Sequence, residues 1–265
     1  MEQLYNHYLI EKELAQRLFN SDRSQRSAMY KSMYDELFQL VPDHPRLKRR
    51  SSIEQSEKAN QNKLGMLKNQ LGPDRTIVEF GAGDCQFCVS IASKFHKVIA
   101  VDISDQREPG TGKPINFELM LYDGNDLPIP SESVDVVFSD QLIEHLHPED
   151  IASHFSTVLR ILRPGGIYVL CTPHGMSGPH DISKYFSDVP EGFHLKEWTY
   201  VELFQTVKAF GFSSATGYRR FRGYNGKLPL TCIRMLEGLA ERLPTRARRL
   251  VSLRLFPVLF ATFTK

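Results

Sequence analysis

Thr76-Ile-Val-Glu-Phe-Gly-Ala-Gly-Asp-Cys-Gln86 is a short apolar run followed at once by two glycines and then by a helical pattern through Phe95. The run Thr76–Phe80 has the composition of a strand buried on both faces. Gly81 and Gly83 let the backbone turn sharply and approach a ligand with no side chain between them. Strand, glycine turn and helix, in that order, are the opening unit of a parallel sheet with crossover helices.

The same alternation continues downstream. Val98–Val101 reads as a second strand, Ile115–Leu121 as a third and Ser133–Phe138 as a fourth. A helix is expected from Pro148 to Leu162, then a turn at Arg163-Pro-Gly-Gly166 and a fifth strand at Ile167–Leu170. A helix at Thr199–Phe210, a strand at Phe212–Tyr218, helical residues Leu228–Leu250 and a last strand at Leu255–Thr264 complete the pattern. This is an open, doubly wound α/β fold with a mostly parallel sheet and helices on both faces. Upstream, Leu4, Tyr8, Leu14 and Leu18, then Tyr30, Met33, Tyr34 and Leu37, recur at helical spacing. A third helix is expected from Ile53 to Leu71, after the basic stretch Arg46-Leu-Lys-Arg-Arg50, which reads as a solvated helix start or loop. The expected organisation is an N-terminal helical cap over residues 1–72 and a core over 73–265, with a basic helical insertion at about 223–252.

Composition narrows the class. With 265 residues, 41% apolar, 24% charged and a net charge of +2, the chain is neither a disordered polymer nor a small disulfide scaffold. Near-neutral charge argues against a general nucleic-acid binder. No apolar run reaches the roughly 18 residues of a membrane span. The first residues carry acids throughout and lack the pattern of a signal peptide. Four cysteines without framework spacing fit a reducing compartment, so a cytoplasmic location is expected. The average charge hides a division. Residues 217–265 hold eleven Lys or Arg against Glu237 and Glu241, which leaves the rest of the chain acidic.

Ligands of such sheets bind at the carboxyl ends of the strands, where strand order reverses. A dinucleotide fingerprint would need Gly or Ala where Gln86 stands, and Asp84 is a poor neighbour for a pyrophosphate. A nicotinamide oxidoreductase is therefore disfavoured. Asp102 closes the second strand, where an acid can accept both hydroxyls of a ribose. Asp123-Gly-Asn-Asp-Leu-Pro128 follows the third strand, where a carboxylate or amide can meet an adenine edge.

The ordered set Val78–Gly83, Val101-Asp102, Asp123–Pro128, Ser133–Val137, Glu144-His-Leu146, Leu159–Gly166, His194–Thr199 and Phe210–Phe212 resembles the class I S-adenosylmethionine-dependent methyltransferases. Cys85 departs from the pattern, since many members have a glycine there. The resemblance implies a seven-stranded sheet whose last strand, Leu255–Thr264, is antiparallel, and S-adenosylmethionine as cofactor. Carried over by position, Glu79, Gly81 and Gly83 shape the methionine and ribose pocket. Asp102 holds the ribose, Ile103 lies beside the adenine, and Asp123 with Gly124 meets its edge. Ser139 and Asp140 sit near the sulfonium or the amino-acid portion, Asp140 having the acceptor side as its alternative.

A hydroxyl acceptor needs a base, and histidine suits neutral pH. His174 and His180 are the candidate bases. His145 reads as structural and His147 as an exposed helix-start residue. No metal site is expected: Cys85-x-x-Cys88 lacks a second ligand pair, and Asp140 alone is no oxygen cluster. Tyr5, Tyr8, Tyr30 and Tyr34 are candidates to cap the cofactor or acceptor, with core packing as the alternative. The expected activity is O-methylation of a small-molecule or carbohydrate-like acceptor. N-methylation and a catalytically silent cofactor-binding module are the alternatives. The basic C-terminal region suits an anionic acceptor or peripheral contact with an anionic membrane, and nucleic acid is not expected.

Overall fold

The computed structural model describes residues 1–45, 47, 53–107, 112–124, 126–221 and 224–265. Apart from Leu47, the basic stretch Arg46–Arg50 lies outside these residues, as do Asn125 and Arg222. Two helices, α1 (Glu2–Phe19) and α2 (Arg23–Leu40), open the chain. Asp22 starts α2: its carboxylate accepts from the Gln25 amide at 2.9 Å, and its own amide donates to Gln25 Oε1 at 3.0 Å. This reciprocal cap satisfies amides that have no partner inside the helix. Leu14 and Leu18 of α1 pack with Met33 and Leu37 of α2 and with Phe193 from the core. Beside that contact the buried Arg26 donates to Glu149 Oε2 at 2.7 Å and to Asp150 Oδ2 at 3.0 Å, tying α2 to the core. A third helix, α3 (Ile53–Leu67), leads to the sheet.

The strands are β1 (Gly72–Phe80), β2 (Phe95–Asp102), β3 (Phe117–Leu121), β4 (Val134–Asp140), β5 (Leu162–Thr172), β6 (Ser214–Phe221), β7 (Tyr224–Leu228) and β8 (Leu259–Thr264). They form one eight-stranded sheet in the order β3-β2-β1-β4-β5-β8-β6-β7. β1 to β5 pair in parallel, and β8 lies antiparallel between β5 and β6. β1 pairs with both β2 and β4, so strand order reverses there. Alternation along β1 sends Val78 and Phe80 to one face and Ile77 to the other. The first face is covered by α5 (Ile151–Ile161) and α6 (Tyr200–Ala209), through Phe155, Val158, Leu203 and Val207. The second is covered by α4 (Gln86–Ile91) and the end of α3, through Phe87, Ile91 and Leu67. Helices on both faces of a mostly parallel sheet were the expected architecture.

Two details differ from that expectation. β7 is an additional strand, hairpinned onto β6, where helical insertion was expected to begin. Its residues, Tyr224-Asn-Gly-Lys-Leu228, carry little apolar signal because an edge strand needs no second buried face. Arg163–Gly166, read as a turn, is part of β5; pairing with β4 lapses between Leu162 and Ile167 and then resumes at Val136↔Ile167.

The helices α7 (Leu230–Glu241) and α8 (Thr245–Leu255) follow β7. Glu237 of α7, 2% exposed, joins them to the sheet. Its carboxylate accepts from the amides of Tyr200 at 2.7 Å and Val201 at 3.1 Å, which open α6. His174 Nε2, just beyond β5, lies 2.8 Å from Glu237 Oε1. One carboxylate thus satisfies helix-terminal amides, complements the helix dipole and orients a buried imidazole. Glu237→Ala is expected to lower the free energy of unfolding by about 3 kcal/mol, the scale for orphaning one side of a buried polar pair. A urea denaturation midpoint unchanged by this substitution would contradict the assignment.

Candidate active site

At the carboxyl end of β1 the chain turns through Gly81, φ +72°, and Gly83, φ +58°. A side chain at Gly81 would place a Cβ 3.2 Å from Leu142 Cδ1 in a backbone conformation that favours glycine. The Gly81 amide donates to Val101 O at 2.8 Å and the Gly83 amide to Asp102 Oδ2 at 2.7 Å. Asp102 Oδ1 accepts from Ile103 at 2.8 Å and Ser104 at 3.3 Å. The Asp102 carboxylate therefore pins the turn after β1 to the turn after β2. Cys85, at φ 59°, is also left-handed, which explains why glycine suits that position. Its buried thiol is pushed up to about 12 by burial, with the nearby charges of Glu79 and Asp102 adding to the rise.

These turns border a cavity of about 380 Å³ at the carboxyl ends of β1, β2 and β4. That volume is of the size that holds a cofactor-sized ligand. Gly81, Gly83, Asp102, Ile103, Asp123 and Gly124 line it, with Asp140 at the end of β4. The cap supplies the opposite wall: Tyr30 and Tyr34 of α2, and Lys63 of α3. The Tyr30 hydroxyl also accepts from the His147 amide at 2.8 Å. Tyr5 and Tyr8 lie elsewhere, packed against Phe186.

Glu79 stands behind this wall, 1% exposed. Lys63 Nζ reaches its Oε1 at 2.8 Å, and the Cys88 thiol donates to Oε2 at 2.9 Å. Burial pushes the Glu79 carboxyl above its ordinary value, and the Lys63 charge works against that rise. Burial works to lower Lys63, but the charges of Glu79 and Asp140 outweigh it and leave the ammonium form favoured. Lys63 is a site residue that sequence reasoning missed: α3 periodicity marks no position on it as facing a sheet terminus.

Several expected residues stand away from the cavity. The Ser139 hydroxyl points into the core, 2.7 Å from the Tyr168 hydroxyl, which in turn lies 2.9 Å from His154 Nε2. Its alternation phase on β4 turns it away from the sulfonium position expected for it. His174 is 0% exposed, stacked on Phe256 at 4.9 Å. Its Nδ1 accepts from the Met176 amide at 3.3 Å and its Nε2 faces Glu237, so neither nitrogen is open to an acceptor. His180 Nε2 is held by the Ser177 hydroxyl at 2.9 Å and by His174 O at 3.2 Å, outside the cavity lining. His147, expected to be exposed, is 6% exposed and bonds Phe19 O at 3.1 Å through Nε2. His145 instead lines the cavity, its Nδ1 2.9 Å from Phe193 O. Beside it Glu144 is fully buried, and burial pushes its carboxyl up to about 7 while the His194 charge works the other way.

Residues 78–170 match the family model described as a methyltransferase domain. The matched residues run from within β1 to within β5, the stretch whose strand ends border the cavity. A probable S-adenosylmethionine-dependent methyltransferase from Mycolicibacterium smegmatis is 33% identical over 144 residues, 52% of this chain and 52% of that protein. Phosphoethanolamine N-methyltransferase 1 of Triticum aestivum is 32% identical over 110 residues, 39% of this chain and 22% of that enzyme. The chain thus spans about half, or less, of the length of these relatives. A crystal structure of an S-adenosylmethionine-dependent methyltransferase from Archaeoglobus fulgidus shares the fold, with TM-score 0.54 at 17% identity, over 82% of this chain and 96% of that one.

His154 gives the site a pH signature. Burial lowers its pKa to about 4, so the folded protein holds it neutral. The unfolded chain binds the proton near pH 6.5, so stability is lost as pH falls below that value. Between pH 7 and pH 5 this residue is expected to remove about 2 kcal/mol. Urea midpoints at the two values should fall less in His154→Gln than in the unaltered protein; equal losses would refute the assignment.

Proposed function

We propose that this protein transfers a methyl group from S-adenosylmethionine to an oxygen of a small, anionic or carbohydrate-like acceptor. The reading rests on one observation: within a methyltransferase domain, a cavity at the reversal of strand order is walled by the Gly81–Gly83 turn, Asp102 and Asp123. The bound cofactor supplies an electrophilic methyl for in-line displacement. Asp102 holds the ribose hydroxyls, the role open to an acid at the end of the second strand of such a sheet. Ile103 covers the adenine, and Asp123 with Gly124 meets its edge. Lys63 and Asp140 set the charge at the end nearest β4, while Tyr30 and Tyr34 close the cavity against water. His145, on the cavity wall, replaces His174 and His180 as the imidazole facing the acceptor. Nitrogen is the alternative acceptor atom, favoured by the similarity to the wheat phosphoethanolamine N-methyltransferase.

The anionic acceptor is inferred from α7 and α8, with α8 packing on the turn Gly175–Ser177 beyond β5, at the same end of the sheet. Their exposed Arg234, Arg242, Arg246 and Arg254 stand among exposed Met235, Leu239, Leu250 and Leu253. Basic and apolar side chains on one helix pair also suit an anionic lipid surface. No helix among the described residues is long and apolar enough to cross a membrane. The protein is expected to float with anionic but not neutral vesicles, and Arg246→Glu with Arg254→Glu to stay behind; equal recovery on both vesicle types would remove the membrane contact.

S-adenosylhomocysteine is expected to bind with a micromolar-range Kd, order of magnitude, by calorimetry. Asp102→Ala should weaken it at least tenfold. A folded sample that takes up none sinks the cofactor assignment, as does undiminished binding by Asp102→Ala. With carbon-13-labelled cofactor and extract fractions, the carbon shift of the transferred methyl separates oxygen from nitrogen. Cofactor binding with no label transferred to any fraction would favour the silent module.

A further inference from the structure

Glu144, His145 and His194 each bring a ligand atom to one place, all within 4.8 Å of one another. Glu144 and His145 lie just beyond β4, and His194 lies in the segment before α6. The histidines are held in matching ways. His145 Nδ1 lies 2.9 Å from Phe193 O, and His194 Nδ1 lies 2.8 Å from Glu197 Oε1. A carbonyl or carboxylate oxygen only accepts, so each Nδ1 donates, and a neutral ring then carries its lone pair on Nε2. That arrangement, with one ring nitrogen fixed by a backbone or carboxylate oxygen, is how proteins orient metal-ligating histidines.

Glu144 is the second observation. It is fully buried; its Oε2 accepts from Thr172 Oγ1 at 2.8 Å, and its Oε1 has no partner among the described residues. Glu197 Oε2 is likewise buried without a partner there. Among the described residues, neither of these carboxylates, nor that of Asp181, makes an ion pair with a Lys or Arg. Buried oxygens with histidines as their neighbours form an environment that a cation completes.

We infer that Glu144, His145 and His194 form a binding site for a divalent transition-metal ion beside the cofactor cavity. Two imidazoles and one carboxylate, with open positions, suit zinc, manganese or ferrous iron better than calcium. His145 belongs to both the trio and the cavity wall, so an oxygen of the acceptor is the natural further ligand. Metal binding itself stands apart from the proposed methyl transfer; the acceptor role rests on it. The site departs from the expectation that the chain holds no metal. That expectation weighed the Cys85–Cys88 pair and Asp140, neither of which takes part.

The test uses the full chain, stripped with chelator and desalted. One equivalent of zinc or manganese should be retained, measured by elemental analysis, and cobalt should give a visible absorption band. His194→Ala and Glu144→Gln should each lose that equivalent and the cobalt band, or bind at least tenfold more weakly. His44→Ala probes the other histidine–carboxylate group, His7, Glu11 and His44, and should leave both signals intact. Failure of the unaltered protein to take up zinc, manganese or ferrous iron overturns the proposal, whatever the variants do. Uptake that survives His194→Ala, or is lost in His44→Ala, overturns it as well. S-adenosylhomocysteine binding, measured on the same samples, reports whether each variant is folded. It also separates failure of this site from failure of the cofactor assignment.

Discussion

A carboxylate buried at the centre of a sheet needs a compensating charge, and Glu79 imposes that condition on this molecule. It is the penultimate residue of β1, which pairs with β2 on one side and β4 on the other, so its surroundings are the middle of the core. The charge comes from Lys63 on a helix of the N-terminal cap, and the Cys88 thiol on the first core helix adds a hydrogen bond. Three elements thus meet at one carboxylate. The cap consequently docks against the sheet, and with it the two tyrosines that roof the cavity.

The turn after β1 works under a second constraint. Its amides are consumed by Val101 and Asp102, and its residues sit in the left-handed region at Gly81, Gly83 and Cys85. A loop held this way is preorganised, so a ligand meets a cavity whose wall needs little ordering. Glu237 plays the corresponding part beyond the carboxyl end of β5, joining α7 to the start of α6 and to His174. The basic insertion is therefore integrated into the fold while its arginines face outward.

Much of this was legible in the chain. Strand cores β1, β2, β4 and β8 are dense in apolar and β-branched residues, and such runs announce themselves without a partner. Gly81, Gly83, Asp102 and Asp123 were readable because their neighbours mark them as strand ends, and strand ends of a doubly wound sheet face the ligand. Ser139 and His174 were misplaced for a shared reason: being near a strand end says nothing of which face a side chain takes. His147 was misread because a histidine before a proline looks solvated until α1 is laid over it.

Local pattern was enough for the alternation of strands and helices, the turn after β1 and the acids at the strand ends, because period and turn chemistry act over a few residues. Tertiary structure alone decided that Lys63 meets Glu79, that Glu237 takes the amides of α6, and that His194 comes beside Glu144 and His145. These partners stand 16, 37 and about 50 residues apart along the chain. Only burial, which makes an unpaired polar group costly, brings them together.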